Sequence, residues 1–226
     1  MEILTFDQLP QGGFAGLKER QFVTDQRVFG NRKNPNAANG IGNFVYLADA
    51  NFNPKGKTGM HSHREIDVIS VMVDGRVSHA GSLEHGQELN AGFAQVQRAG
   101  AEGFSHDEIN PDDSANHMIQ LWVMPDNPGE AAGYKVYEPQ SGDVARIYGG
   151  SKDQQDTFYS QTLIDVALPT ANQTISHQGE VMAFLSQGHG EINGQAIQAR
   201  TLVRVTDLEF VAHSDSQLIL IHQQQH

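Results

Sequence analysis

His61-Ser62-His63 and, further along, His106-Asp107-Glu108 decide how this chain is read. In an extended strand, side chains two positions apart point to the same side, so each triplet directs two metal-binding groups one way. If the two strands face each other across a barrel, three imidazoles and one carboxylate converge, and that set can hold a metal.

The rest of the chain is compatible with strands. Segments rich in β-branched and aromatic residues recur at Asn43 to Leu47, Val68 to Val73, Met118 to Met124, Val181 to Leu185, Thr201 to Val205 and Gln217 to His222, separated by Gly, Pro and Asn. No long stretch carries a helical stripe, although Ser151 to Thr157 reads as the start of a short helix. The fold class expected is all-β. Asp74-Gly75 and Asn193-Gly194 tolerate positive φ and read as hairpin tips.

With 226 residues and 38% hydrophobic content, the chain can bury one large core or two smaller ones of roughly 100 residues each. The stretch from Pro125 to Asp156 is rich in Gly, Pro and polar residues and reads as a crossing between lobes. The boundary falls near Glu138, giving domains 1–137 and 138–226. Asp67 to Gly75 can be laid over Glu180 to Gly188 as a faint repeat of acid, apolar strand and turn. In that register His61 and His63 fall on Thr174 and Ser176, and only His213 and His222 lie near the counterparts of His106 and Glu108. A metal site is therefore expected in the first lobe and none in the second.

Cysteine is absent, so any metal is held by nitrogen and oxygen. The net charge of −12, without a Lys/Arg cluster, opposes a phosphate backbone and argues against direct nucleic-acid binding. Met1 to Pro10 lacks a basic stretch followed by an apolar one, and nowhere do about 18 apolar residues run together, so no membrane span and a cytoplasmic location are expected.

His61, His63, His106 and Glu108 are the candidate ligands. Imidazoles with one carboxylate suit divalent iron, and equally nickel, manganese, cobalt, copper or zinc. Four ligands would close a tetrahedral zinc site, which is structural, or leave two positions open on an octahedral ion, which is catalytic. Asp67 shares a face with His63 and can orient a ligand imidazole or be a solvated carboxylate. Asn110 stands likewise to His106 and is equally a turn residue before Pro111. His79, His85, His177, His189, His222 and His226 are expected to be mostly exposed. His117 is expected to be a hydrogen-bonded imidazole rather than a fifth ligand. Phe104 and Trp122 can line a pocket for a flat substrate or belong to the core.

The segments Gly59 to Ile69, Asp74-Gly75, Ser105 to Pro111 and Gln120 to Pro125 together resemble the pirin family, especially its bacterial members with quercetinase activity. Weaker similarity continues through Gly190 to Gly194 and His213 to Ser216. Two features depart from the family pattern: Asp67 stands where Glu is usual, and Gly100-Ala101-Glu102-Gly103 is one residue longer before His106. The resemblance implies two stacked cupin barrels, a bicupin, with a single metal, usually iron, on His61, His63, His106 and Glu108 of the first barrel. It implies a quercetin 2,3-dioxygenase that opens a flavonol with O2 and releases carbon monoxide, Glu108 taking the substrate's hydroxyl proton. The alternative it carries is a metal- or redox-responsive regulator of a protein partner, without turnover. A monomer is expected.

Overall fold

The computed structural model describes residues 1–83 and 86–225; strand makes up 57% of the protein and helix 4%, as an all-β chain requires. Among the described residues no helix is long and apolar enough to cross a membrane. The chain divides into two compact units, Leu9–Glu138 and Met1–Gln8 with Pro139–His226. The first strand, β1 (Glu2–Thr5), therefore folds with the second half, an exchange that a contiguous boundary does not anticipate.

The unit Leu9–Glu138 contains β2 (Gly12–Phe14), β3 (Leu17–Thr24), β4 (Phe44–Phe52), β5 (His61–His63), β6 (Asp67–Asp74) and β7 (Arg76–Gly81). It continues with β8 (Glu88–Asn90), β9 (Ala94–Arg98), β10 (Phe104–Ile109), β11 (His117–Val123) and β12 (Gly133–Tyr137). Among the described residues these form a seven-stranded sheet, β12-β9-β6-β11-β4-β3-β2, and a four-stranded one, β5-β10-β7-β8. A single helical turn, α1 (Gln26–Phe29), is capped by the Asp25 side chain, which accepts from the Arg27 backbone N–H at 2.9 Å.

The inner faces of the two sheets are layered. At one end, Leu17, Ala50, Phe52, Met72 and Met118 of the larger sheet pack with Val77 and Leu89 of the smaller one. At the other, Val68 packs with Ala99 and Phe104, with Ile66, Leu83 and Trp122 against them. Strand period two makes the layer between these clusters legible: Ser70 lies between Val68 and Met72 on β6, and Gln120 between Met118 and Trp122 on β11. Both are buried, together with Gln95, Gln97, His79, His106 and Glu108. A polar belt thus sits between two apolar ends.

Three expectations change. Asp74-Gly75 is not a hairpin tip, because β6 pairs with β9 and β11 while β7 pairs with β8 and β10; the chain turns a corner from one sheet into the other, with Gly75 at φ 70°. Part of the supposed crossing, Gly133–Tyr137, is the edge strand β12 on β9. Ser151 to Thr157 forms no helix: the Gln154 side chain donates to the Ser151 and Thr157 carbonyls and accepts from the Thr157 N–H, so turns take up the backbone groups.

The second unit adds β13 (Val144–Gly150), β14 (Ser160–Ala167), β15 (Thr174–Gln187), β16 (His189–Ile192), β17 (Gln195–Gln198), β18 (Thr201–Ala212) and β19 (Gln217–Gln223). Their order is β13-β14-β19-β15-β18-β16-β17, with β1 on β18. Val181, Ala183, Leu185, Val203, Phe210, Leu218 and Leu220 lie in its core. Asn193 and Gly194, at φ 51° and 76°, do form the expected hairpin tip between β16 and β17.

Gly81 on β7 lies directly opposite His106 on β10, and a Cβ there would fall 2.3 Å from the Ser105 carbonyl oxygen. Because that contact is with backbone, Gly81→Ala has to push the two strands apart. Its destabilisation in urea melts is expected to exceed the roughly 0.5 kcal/mol typical of surface substitutions.

Candidate metal centre

The His61 and His106 strands do not face each other across a barrel. β5 and β10 are antiparallel neighbours in the smaller sheet, with His106 opposite His61 and Phe104 opposite His63. That register brings the ligand nitrogens of His61, His63 and His106 within 4.8 Å of one another. His106 Nε2 lies 3.0 Å from His61 Nε2 and 3.2 Å from His63 Nε2. His61 Nδ1–H donates to the Gly59 carbonyl at 2.9 Å, which fixes the tautomer and leaves Nε2 as a lone pair aimed at the cluster.

Three nitrogens converging on one point are poorly served by protons, since each neutral imidazole nitrogen either donates or accepts and one N–H reaches both neighbours only as a bifurcated donor. A shared cation satisfies all of them. With a metal–nitrogen distance of about 2.1 Å, ligands at right angles lie about 3.0 Å apart and tetrahedral ones about 3.4 Å. The separations at His106, 3.0 and 3.2 Å, lie within the range of nitrogens that share one ion. The donor set therefore fits a divalent first-row ion.

Glu108 is not part of that group. It is fully buried one strand step beyond His106, opposite His79 of β7. Its Oε1 accepts from Ser70 Oγ at 3.0 Å and from Gln95 Nε2 at 3.5 Å, and its Oε2 from Gln120 Nε2 at 3.3 Å. Burial raises its pKa above the usual carboxylate value, opposed by the Ser70 hydrogen bond and by the charge of nearby His61. Three donors from the larger sheet thus hold the carboxylate beside the imidazoles.

Other predicted residues are placed as follows. Asp67 is buried, not solvated, with Arg98 at 3.8 Å; Arg98 also binds Glu130 at 2.6 Å. Asn110 is a buried loop tie, donating to the Asn53 and Ser114 carbonyls and accepting from the Asp112 N–H. His117 bonds Asp49 at 3.0 Å, as a packed imidazole should. His189 is exposed and His177 half-buried, but His79 and His222 are buried, against expectation. His79 bonds Gln97 at 2.8 Å with its ring 5.3 Å from that of His106, and His222 bonds Asp165 at 2.9 Å. His85 and His226 lie outside the described residues. Among those described, no comparable group of potential ligands occurs in the second unit.

Sequence reasoning missed Ser70, Gln95, Gln120 and His79. The signal was present for two of them: a single polar residue inside Val68-Ile69-Ser70-Val71-Met72 and inside Met118-Ile119-Gln120-Leu121-Trp122, where a strand buried on both faces is otherwise apolar. Aromatic rings flank the cluster, Phe104 at 5.2 Å and Trp122 at 5.7 Å from the His63 ring. A cavity of about 340 Å³ lined by His63, Arg64, Glu102 and Phe104 opens beside it.

Comparison with known proteins bears on the fold and on the stretch that holds the site. Residues 24–123 match the pirin family model, the stretch that contains all three clustered histidines and Glu108. A pirin-like protein of Caulobacter vibrioides is 26% identical over 174 residues, 71% of this chain and 75% of that protein. The quercetin 2,3-dioxygenase of Escherichia coli (strain K12) is 31% identical over 78 residues, a match spanning 34% of this chain and 33% of that enzyme. The crystal structure of the bacterial pirin YhhW in complex with nickel(II), from Escherichia coli, superposes with a TM-score of 0.84 at 19% identity, covering 100% of this chain and 99% of that one. The fold is an all-β bicupin. Over those 100 of its 226 residues the chain is similar to the pirin family.

Burial, with the charge of His61, lowers the pKa of His63 to about 4, and burial with the charges of His61, His63 and His79 lowers that of His106 to about 2. Both titrate near 6.5 in the unfolded chain, so between about pH 6.5 and 4 the unfolded state takes up protons that the folded state does not. Stability contributed by these neutral imidazoles is complete above that window and is lost as pH falls. The melting temperature of chelator-treated protein is expected to drop from pH 7 to pH 5, with a shallower slope for His63→Gln; equal slopes would contradict the assignment.

Proposed function

We propose that this protein is a metal-dependent dioxygenase acting on flavonol-like substrates, quercetin being the model compound, with O2 as co-substrate. The observation that carries this reading is the convergence of three imidazole Nε2 atoms beside a buried carboxylate. His61, His63 and His106 hold the ion, most simply iron or nickel among the first-row metals these ligands accept. When bound, it supplies a Lewis acid that stabilises the substrate oxyanion and a meeting point for the electron-rich ring and oxygen.

Glu108 is the base. A carboxylate whose proton affinity is raised by burial accepts the flavonol hydroxyl proton more readily than an exposed one, and Ser70, Gln95 and Gln120 hold its oxygens in position for that transfer. Completing the ligand set with Glu108 would require its carboxylate to give up at least one of those three hydrogen bonds for the ion. Phe104 and Trp122 provide flat apolar faces for a planar polyphenol.

Aerobic incubation of iron- or nickel-loaded protein with quercetin is expected to bleach its visible band. Glu108→Gln should retain metal, by elemental analysis, and lose about 100-fold or more of that rate, whereas His106→Gln should lose the metal itself. Absence of turnover with every first-row divalent ion would overturn the reading.

A further inference from the structure

Beside the histidine cluster stands a row of aromatic groups that substrate binding does not need in full. The Trp122 ring lies 5.7 Å from His63, Tyr46 lies 4.4 Å from Trp122, and Phe29 of α1 caps both at 6.0 and 5.5 Å. The order is set by register, since Trp122 on β11 is directly opposite Tyr46 on β4. The row ends on a buried base: Tyr46 Oη donates to Glu19 Oε2 at 2.8 Å, and Gln21 holds the other oxygen, Oε1, at 2.9 Å. Tyr46 is 4% exposed and Glu19 8%. Placing a phenol–carboxylate pair inside a sheet is costly where phenylalanine would pack as well.

We propose that Trp122 and Tyr46 form an electron-hole relay that carries an oxidising equivalent away from the histidine cluster, with Glu19 as the acceptor of the phenolic proton. In the first step Trp122 loses one electron to a one-electron oxidant at the histidine cluster, such as a trivalent first-row ion that would thereby return to its divalent state, and becomes a radical cation. In the second, one electron passes from Tyr46 to the Trp122 radical cation while the Tyr46 O–H proton moves to Glu19. The products are closed-shell Trp122, a neutral Tyr46 radical and protonated Glu19.

Direction comes from the unequal surroundings of the two rings. Trp122 Nε1 is buried and has no hydrogen-bond partner among the described residues, so its radical cation has no base to release a proton to and remains strongly oxidising. Tyr46 has its base already in place. Burial and the neighbouring Glu19 charge raise the pKa of the unoxidised phenol, so it keeps its proton until an electron is withdrawn. One-electron oxidation makes the phenol strongly acidic, and only then does the proton cross.

The inference draws on the proposed metal chemistry for its oxidant alone, and the relay is tested without metal. Chelator-treated protein is flash-oxidised with a ruthenium polypyridyl photosensitiser and followed by transient absorption and frozen-solution EPR, using the chain's single tryptophan as reporter. The expected result is a tryptophan radical that decays into a tyrosyl radical. Tyr46→Phe should abolish that conversion and prolong the tryptophan signal, Trp122→Phe should lower the tyrosyl yield, and Glu19→Gln should slow the conversion about tenfold or more. Should Glu19→Gln fail to fold, the solvent isotope effect on the conversion in unaltered protein tests the proton step. A tyrosyl yield unchanged in Tyr46→Phe, or a conversion insensitive to both Glu19→Gln and deuterated solvent, would overturn the relay. Loss of quercetin turnover would leave these signals intact.

Discussion

The interior of the first unit is organised by one constraint: a carboxylate and several imidazoles are buried between two sheets, and each has to find a partner there. An uncompensated ionised group in such a place would cost more than a domain's whole margin of stability. Glu108 meets that requirement through Ser70, Gln95 and Gln120, and His79 through Gln97. His61, His63 and His106 meet it only in part, by turning their Nε2 atoms toward one another. Three ring nitrogens that meet one another more than they meet protein donors or acceptors are the chemistry a divalent ion would complete.

Apolar packing at both ends holds that belt in register. Met72 and Met118 anchor one side of Ser70 and Gln120, and Val68 and Trp122 the other, so the donors to Glu108 cannot slide without disturbing two hydrophobic clusters. The same alternation places Trp122 against Tyr46 on one side and His63 on the other. Chemistry at the site and the aromatic row beside it are therefore consequences of one strand alignment.

The second unit shows what happens when similar residues are paired differently. His222 bonds Asp165, Asp165 is also held by Arg146, and the His177 ring lies 4.2 Å from that of His222. The Arg146 and His222 hydrogen bonds keep the Asp165 pKa below the ordinary carboxylate value despite burial, which raises it. Its charge is compensated within the protein, in contrast to the nitrogens of the first unit.

Much of this was legible from the residues alone. Period-two spacing in His61-Ser62-His63 and His106-Asp107-Glu108 determined that each pair shares a face, and the β-rich segments with Asn193-Gly194 determined the fold class and one hairpin. Strand pairing was not legible, because hydrogen-bond partners far apart in the chain are chosen by the summed packing of whole faces. Only the tertiary structure made β5 and β10 neighbours, turned Asp74-Gly75 into a corner, buried His79, and set Glu108 on three donors outside the trio of imidazoles. Local sequence determines which side a group points to; which groups meet there is decided by contacts across the sheets.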